Sequence, residues 1–151
     1  AAYANDNWSQ PNIQPAREDI TLTLENVTVD TFVKNLQENI TTDSLDFDVQ
    51  VLNGDSSKLG KKDFKHDVNV IFYDGDNSEK KMREFFLNMI DFTEDVFTLV
   101  VDDANIEENV AITKRFIDAM GLKILYEREL LNGQEDVDMW WNGLYVVVLS
   151  K

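Results

Sequence analysis

The sequence has no cysteine, only one histidine and only two prolines among its 151 residues. The absence of cysteine excludes a disulfide framework and a cysteine-based metal site, and it fits the reducing cytoplasm, where we expect this protein. No stretch approaches 18 consecutive apolar residues, so a membrane-spanning segment is not expected. The first ten residues lack the basic start of a secretory signal peptide. They also lack an initiator methionine, and we therefore expect that the chain begins inside a longer gene product.

Acidic residues outnumber basic residues by 29 to 14, which gives a formal net charge of −15. Binding to the phosphate backbone of a nucleic acid is therefore not expected. The one basic cluster comprises Lys58, Lys61, Lys62 and Lys65, and we interpret it as a solvated turn. The composition, 43% hydrophobic and 28% charged, is typical of a globular protein. The length predicts a single domain over residues 1–151.

Hydrophobic periodicity predicts strands that alternate with helices. Strands are predicted at residues 1–4, 67–76, 97–103, 122–130 and 144–149. A further strand is predicted in the segment DFDVQVLNGD, where Phe47, Val49 and Val51 alternate with polar residues, and it ends at Gly54-Asp55. Residues 20–24 are either a short strand or the lead-in to a helix. Helices are predicted at residues 29–40, 78–90 and 106–120, with Ser78 as a cap of the second and Gly121 as the stop of the third. This order predicts an α/β fold: a doubly wound, Rossmann-like, mostly parallel sheet with a C-terminal antiparallel strand pair, in three α/β/α layers.

Two of the predicted strands, in the segments DVNVIFYDGD and FTLVVDDAN, read as buried on both faces and end in carboxylates. Ligands in open α/β sheets bind beyond the carboxyl ends of the strands, so the acids expected at that edge are candidate functional residues: Asp74, Asp76, Asp102 and Asp103. Gly75 indicates a tight turn in which the backbone closely approaches another group. The alternative for Asp102 and Asp103 is that they only cap the next helix.

Six short motifs follow one another along the chain: NDNWS (5–9), NGDS (53–56), FYDGDNS (72–78), VVDDAN (100–105), GLKILYERE (121–129) and WWNGLYVVVLSK (140–151). In this order they resemble the class I S-adenosylmethionine-dependent methyltransferases, and most closely a small-molecule branch of the macrocin O-methyltransferase type. The resemblance implies transfer of a methyl group from S-adenosylmethionine to a hydroxyl of a small molecule. The expected acceptor is a sugar.

The resemblance implies a cofactor site at the ends of the first strands. An acid in this family hydrogen-bonds the ribose hydroxyls, and Asp6, with its neighbour Asn7, matches that position. A second acid and its neighbours meet the adenine, and the matching residues are Gly54, Asp55 and Ser56.

The resemblance also implies a reaction site at the next strand ends. Asp74 matches a residue near the point where cofactor and acceptor meet, and Asp74 and Asp102 are the candidate catalytic residues. The macrocin-like branch holds Mg²⁺ with acids that Asp74, Asp102 and Asp103 match, and a bound ion would orient the acceptor hydroxyl and lower its pKa. The residues expected to contact the acceptor are Asn105, Trp140, Trp141 and Asn142. The two tryptophans alternatively form a lid packed on the sheet.

Two departures from the family bear on activity. Members commonly carry a histidine after the DGD motif, where this chain has Asn77, and an amide cannot act as a general base. The only histidine, His66, precedes the strand and is predicted to be a surface residue. The family's first strand and its glycine-rich turn have no counterpart here, so we expect an N-terminally incomplete domain.

The missing strand is central in the family's sheet, so an exposed sheet edge and a homodimer through it are expected. Two other functions remain open at this point. One is a non-catalytic, methyltransferase-like binding or assembly domain, which the two departures favour. The other is a metal-dependent nucleotide-sugar enzyme, in which an acid pair binds the metal.

Overall fold

The computed structural model describes residues 2–6, 30, 34, 49–131 and 142–151. The chain divides into two compact units, residues 1–56 and 57–151. The single domain over residues 1–151 stays a prediction. Asp30 and Lys34 have helical backbone, as predicted for residues 29–40, and the other residues of that segment lie outside the described part, as do residues 20–24.

Two short strands form a parallel pair in the first unit. Strand β1 spans Ala2–Asp6 and strand β2 spans Val49–Asn53, and they pair in register so that Asp6 lies opposite Asn53. Both predicted strands are confirmed: β1 ends two residues later than predicted, and β2 ends directly before Gly54, where its end was predicted. Because the strands are parallel, their carboxyl ends lie at the same edge of the pair.

The second unit contains four strands and two α-helices among its described residues. In chain order they are β3 (Val68–Tyr73), α1 (Glu79–Met89), β4 (Thr93–Asp102), α2 (Glu107–Ala119), β5 (Lys123–Leu130) and β6 (Leu144–Ser150). Every helix and strand predicted for this unit is confirmed. The main difference is β4, which begins four residues before the predicted start. The prediction was too short because the charged residues Glu94 and Asp95 interrupt the apolar pattern. Within the described residues, no helix is both long and apolar enough to cross a lipid bilayer.

The four strands form one mixed sheet in the order β3–β4–β6–β5. β3 and β4 are parallel, whereas β6 runs antiparallel to both of its neighbours, β4 and β5. The antiparallel pair at the end of the chain is therefore confirmed, and β6 lies between β4 and β5. β3, β4 and β5 point in the same direction, so their carboxyl ends and the amino end of β6 lie along one edge of the sheet. We call this the carboxyl edge; its described connections are residues 74–78, 103–106 and 142–143.

Both helices pack on one face of this sheet. The apolar residues of α1 recur at helical spacing, and Met82, Phe85, Phe86 and Met89 are all buried. Alternate residues of β4 and β6 complete the core, among them Phe97, Leu99, Val101, Val147 and Leu149. The ring of Phe86 lies 5.4 Å from that of Tyr73 in β3 and 5.2 Å from that of Phe116 in α2, so one aromatic side chain joins three elements.

The opposite face of the sheet carries apolar side chains that remain accessible. Val70 and Phe72 of β3 are each 58% exposed, whereas Ile71 and Tyr73, which point to the helices, are buried. The sequence predicted that both faces of this strand would be covered. The described residues of the second unit provide a helical layer on one face only, and the three-layer arrangement stays a prediction.

Candidate functional site

Most of the polar residues predicted from the sequence to be functional lie at the carboxyl edge. Asp74 directly follows β3, Asp102 is the last residue of β4, and Asp103 and Asn105 lie in the turn before α2. Asn142 lies two residues before β6. The parallel pairing of β3 with β4 and the insertion of β6 beside β4 bring these positions to one edge, although they are far apart in sequence.

The carboxylate of Asp103 accepts hydrogen bonds from two other connections of the carboxyl edge, the one after β3 and the one before β6. The Asn77 amide donates a hydrogen bond to Oδ2 of Asp103, with a nitrogen–oxygen distance of 2.6 Å. The Asn142 amide donates a second hydrogen bond, of 2.7 Å, to Oδ1 of the same residue. Hydrogen bonds to an ionised group are stronger than bonds between neutral groups. The side chain of one residue therefore joins the connection after β3 to the connection before β6.

The backbone of Asp103 is also unusual. Its φ angle is 57°, which places it in the left-handed region, where aspartate is among the few non-glycine residues found. Its carbonyl oxygen accepts hydrogen bonds from the Ile106 amide at 2.9 Å and from the Asn109 side chain at 3.3 Å. Ile106 occupies the N-cap position of α2, and no side chain caps it. Neither Asp102 nor Asp103 is therefore the N-cap residue of this helix.

The turn after β4 also pairs directly with the segment before β6. The amides of Ala104 and Asn105 donate to the carbonyl oxygens of Gly143 and Asn142, at 3.1 and 2.7 Å. Gly143 has a φ angle of 75°, and a Cβ atom there would lie 2.5 Å from Oδ1 of Asn105. Two of the predicted acceptor-binding residues, Asn105 and Asn142, are thus in contact. The other two, Trp140 and Trp141, lie outside the described residues.

The connection after β3 folds around the ring of Tyr73. The Tyr73 hydroxyl donates to the carbonyl oxygen of Asp76 at 2.8 Å, and a Cβ atom at Gly75 would lie 3.0 Å from the ring. The close approach that the sequence indicated at Gly75 is therefore an approach to Tyr73. Ser78 is the N-cap residue of α1 as predicted, but its side chain makes no capping bond. Its amide instead donates to the carboxylate of Asp76 at 2.8 Å.

In the first unit, the predicted cofactor residues cluster at the carboxyl end of the parallel pair. Asp6 ends β1 opposite Asn53, and Gly54 and Asp55 follow directly after β2. Gly54 has a φ angle of 147°, a backbone conformation that residues with a Cβ atom rarely adopt. Ser56 begins a short 3₁₀ turn. Asn7 lies outside the described residues.

The three acids predicted to hold Mg²⁺ do not fit that role as a set. Among residues 49–131 and 142–151, no group of three or more histidine, aspartate or glutamate side chains is arranged to hold a metal ion. Both carboxylate oxygens of Asp103 already accept an amide N–H group. Mg²⁺ requires oxygen ligands in near-octahedral geometry at about 2.0–2.1 Å. Asp103 therefore serves hydrogen bonding here.

Tyr145, near the start of β6, is fully buried beneath α2. Its hydroxyl donates to Glu127 of β5 at 2.9 Å, and the Lys114 ammonium lies 5.3 Å from the centre of its ring. Burial of the phenol, followed by its hydrogen bond to Glu127, raises the pKa of Tyr145 above its ordinary value. The hydrogen bond to Glu129 raises the pKa of Lys114. These interactions fix β5 against α2 and hold β6 in place.

The basic cluster and the histidine lie before β3. Lys61 forms an ion pair with Asp67, the residue that precedes β3. Lys58, Lys62 and Lys65 are exposed, which confirms the interpretation of this cluster as a solvated segment, and the predicted exposure of His66 is confirmed too.

Sequence reasoning missed Asn109 and the partner of Asn77. Asn109 is only 1% exposed, yet it lies on the buried side of α2 together with Ile112, Thr113 and Phe116. A polar residue at an apolar position of an amphipathic helix needs a hydrogen-bonding partner, and that signal could have identified it. The contact between Asn77 and Asp103 spans 26 residues and leaves no local pattern.

No model of a known protein family and no curated protein sequence matches this chain.

Proposed function

We propose that this chain is a methyltransferase-type domain that transfers a methyl group from S-adenosylmethionine to a hydroxyl of a small molecule, with a sugar as the expected acceptor. The observation that supports it most is the position of the motif residues. The described residues of the first four motifs lie at the carboxyl ends of parallel strands or in the connections beside them, and the last two motifs form most of β5 and β6. The antiparallel final strand that the resemblance implies is also present. The proposal includes the three-layer, doubly wound form of the fold.

On the cofactor side, the proposal assigns the ribose hydroxyls to Asp6 with its neighbour Asn7. A carboxylate can accept hydrogen bonds from both hydroxyls at once. Gly54, Asp55 and Ser56 would lie along the adenine, where the lack of a side chain at Gly54 allows a planar group to approach the backbone. The support is that Asp6 and Asn53 are paired residues, so the two segments end side by side.

On the acceptor side, the proposal assigns Asp74 and Asp102 to the reacting hydroxyl. S-adenosylmethionine supplies a methyl group bound to a positively charged sulfur. An aligned acceptor oxygen can bond to the methyl carbon as the sulfur–carbon bond breaks. A carboxylate of Asp74 or Asp102 would orient the hydroxyl and accept its proton. Asn105 and Asn142, with Trp140 and Trp141, would contact the rest of the acceptor. Because the three acids form no metal-binding set, no step is assigned to Mg²⁺.

One observation favours a second candidate, a non-catalytic methyltransferase-like domain kept for binding or assembly. Asn77 occupies the position where relatives commonly carry a histidine, and its amide is engaged with Asp103 at 2.6 Å. An amide held in this way offers no proton-accepting group to a substrate. This candidate predicts cofactor or ligand binding without methyl transfer.

The proposal also includes a homodimer through β3, an outer strand of the described sheet. An antiparallel pair centred on Ile71 would place Val70 of one copy opposite Phe72 of the other, and both side chains are exposed. The other outer strand, β5, is less suited to pairing. It carries charged residues, and its register with β6 shifts between Ile124 and Tyr126.

The test of the proposed function is calorimetric titration of S-adenosylhomocysteine into the full chain, with and without Mg²⁺, followed by the same titration with Asp6→Ala. Asp30→Ala is the matched control, because Asp30 is an exposed helical residue of the same unit and its removal changes the net charge equally. The proposal expects wild-type binding, weakened by Asp6→Ala and unchanged by Asp30→Ala. Binding of a nucleoside diphosphate with Mn²⁺ or Mg²⁺ instead would favour a nucleotide-sugar enzyme.

A further inference from the structure

Three connections of the second unit meet at one carboxylate. Asn77 comes from the connection between β3 and α1, Asp103 from the turn between β4 and α2, and Asn142 from the connection between β5 and β6. The two amides use different oxygens of Asp103, so neither excludes the other. Asn109, which is almost fully buried, holds the Asp103 carbonyl from the first turn of α2.

We propose that Asp103 is a positioning residue: it ties the three connections of the carboxyl edge together and does not coordinate a metal ion. This assignment replaces the role that the sequence predicted for Asp103, and it does not depend on methyl transfer. It concerns how the edge is held, whatever ligand binds there.

The chemistry of the donors supports this role. Each asparagine presents its NH₂ group, which can only donate, to the carboxylate, which in its ionised form can only accept. Two charge-assisted bonds of 2.6 and 2.7 Å offset the negative charge of Asp103. A cation at either oxygen would meet the positive ends of these N–H dipoles, and the described residues provide no group of acids to surround it.

The backbone supports it as well. Asp103 holds a left-handed φ angle that costs free energy unless the surroundings impose it. The hydrogen bonds to its carbonyl oxygen and to its carboxylate together impose it. With this backbone geometry, the carboxylate is directed to both Asn77 and Asn142, while the amides of Ala104 and Asn105 pair with the segment before β6.

The first test is a double-mutant cycle read by thermal unfolding of the full chain. Asn77→Ala and Asn142→Ala should each lower Tm by about 4–8 °C in the wild-type background and hardly at all in an Asp103→Ala background. Asn88→Ala is the matched control: its amide donates to the Ser57 carbonyl at 2.5 Å, so its effect should add to that of Asp103→Ala. Additive effects of Asn77 or Asn142 with Asp103 would overturn the proposal. If Asp103→Ala does not fold, Asp103→Asn takes its place in the cycle. An unchanged Tm in both Asn77→Ala and Asn142→Ala would also overturn the proposal.

The second test separates positioning from metal binding. MgCl₂ is titrated into wild type, Asp103→Asn and Asp102→Asn, and both heat and Tm are followed. The proposal expects Asp103→Asn to have a lower Tm than wild type. It expects both proteins to respond equally to Mg²⁺, and the absence of a response in both also meets this expectation. A tenfold or greater loss of Mg²⁺ affinity in Asp103→Asn, with affinity retained in Asn77→Ala and Asn142→Ala, would overturn it. Binding of S-adenosylhomocysteine to wild type tests the proposed function separately.

Discussion

Asn142 and Asp103 are 39 residues apart in sequence, and the amide of the first donates a 2.7 Å hydrogen bond to the carboxylate of the second. This contact is possible because β6 inserts beside β4, so that the segment before β6 reaches the end of β4. The strand order of the sheet therefore determines which polar residues meet at the carboxyl edge. The properties of this edge should depend on the backbone geometry around Asn142 as well as on the acids.

Gly143, next to Asn142, allows a direct test of that geometry. Gly143→Ala should lower the free energy of unfolding by about 2–5 kcal/mol, because the new Cβ atom would face Asn105 and the carbonyl of Leu130 in a left-handed backbone conformation. Gly121→Ala, which has a positive φ angle but open space, should cost only about 1–2 kcal/mol. Gly60→Ala, which has neither feature, should change stability by less than about 0.5 kcal/mol. Urea unfolding measures all three, and equal effects would contradict the described turn.

The buried phenol of Tyr145 predicts a loss of stability at alkaline pH. Its pKa is raised in the folded protein, so its contribution is complete below the unfolded value of about 10 and is lost as the pH rises through the folded value. Tyr145→Phe should therefore lose less stability than wild type above pH 10, although it is less stable at neutral pH by about 1 kcal/mol because it lacks the bond to Glu127. Urea unfolding between pH 8 and 11 measures this. The control, Tyr126→Phe, removes an exposed phenol and should follow the wild-type profile; identical slopes for Tyr145→Phe and wild type would refute the prediction.

The proposed homodimer predicts an association that strengthens with salt. Each copy carries a net charge of −15, so repulsion opposes pairing at low ionic strength and is screened at about 0.5 M salt. Phe72→Glu should abolish the dimer because it places a charge at the proposed interface. Tyr126→Glu is the control, because this residue is 51% exposed on the same face of the sheet but lies on β5. Sedimentation velocity gives the answer: a chain that stays monomeric at high salt, or a dimer lost only in Tyr126→Glu, would contradict the pairing.

Local pattern was sufficient to predict the elements but not the contacts between them. The helical spacing of Met82, Phe85, Phe86 and Met89 predicted both α1 and the face that it buries. The exposure of Val70 and Phe72 could not be predicted in this way, because an apolar run reads the same whether one face of a strand is covered or both.

The same distinction between local pattern and contacts applies to the candidate site. Position after a strand predicted that Asp74, Asp102 and Asp103 would lie at the carboxyl edge. The role of Asp103 depends on Asn77 and Asn142, which reach it from 26 and 39 residues away. Such pairings follow from the order of strands in the sheet, and no local spacing encodes them.

The measurement that tests the proposed function most directly is calorimetric titration of S-adenosylhomocysteine into the full chain, wild type against Asp6→Ala. We expect micromolar binding by wild type. Asp6→Ala should lower the affinity by about tenfold to a hundredfold, because it removes a charge-assisted hydrogen bond. Asp30→Ala should bind as wild type does. No binding by wild type, or equal binding by wild type and Asp6→Ala, would contradict the proposal that this chain holds the cofactor at the end of β1.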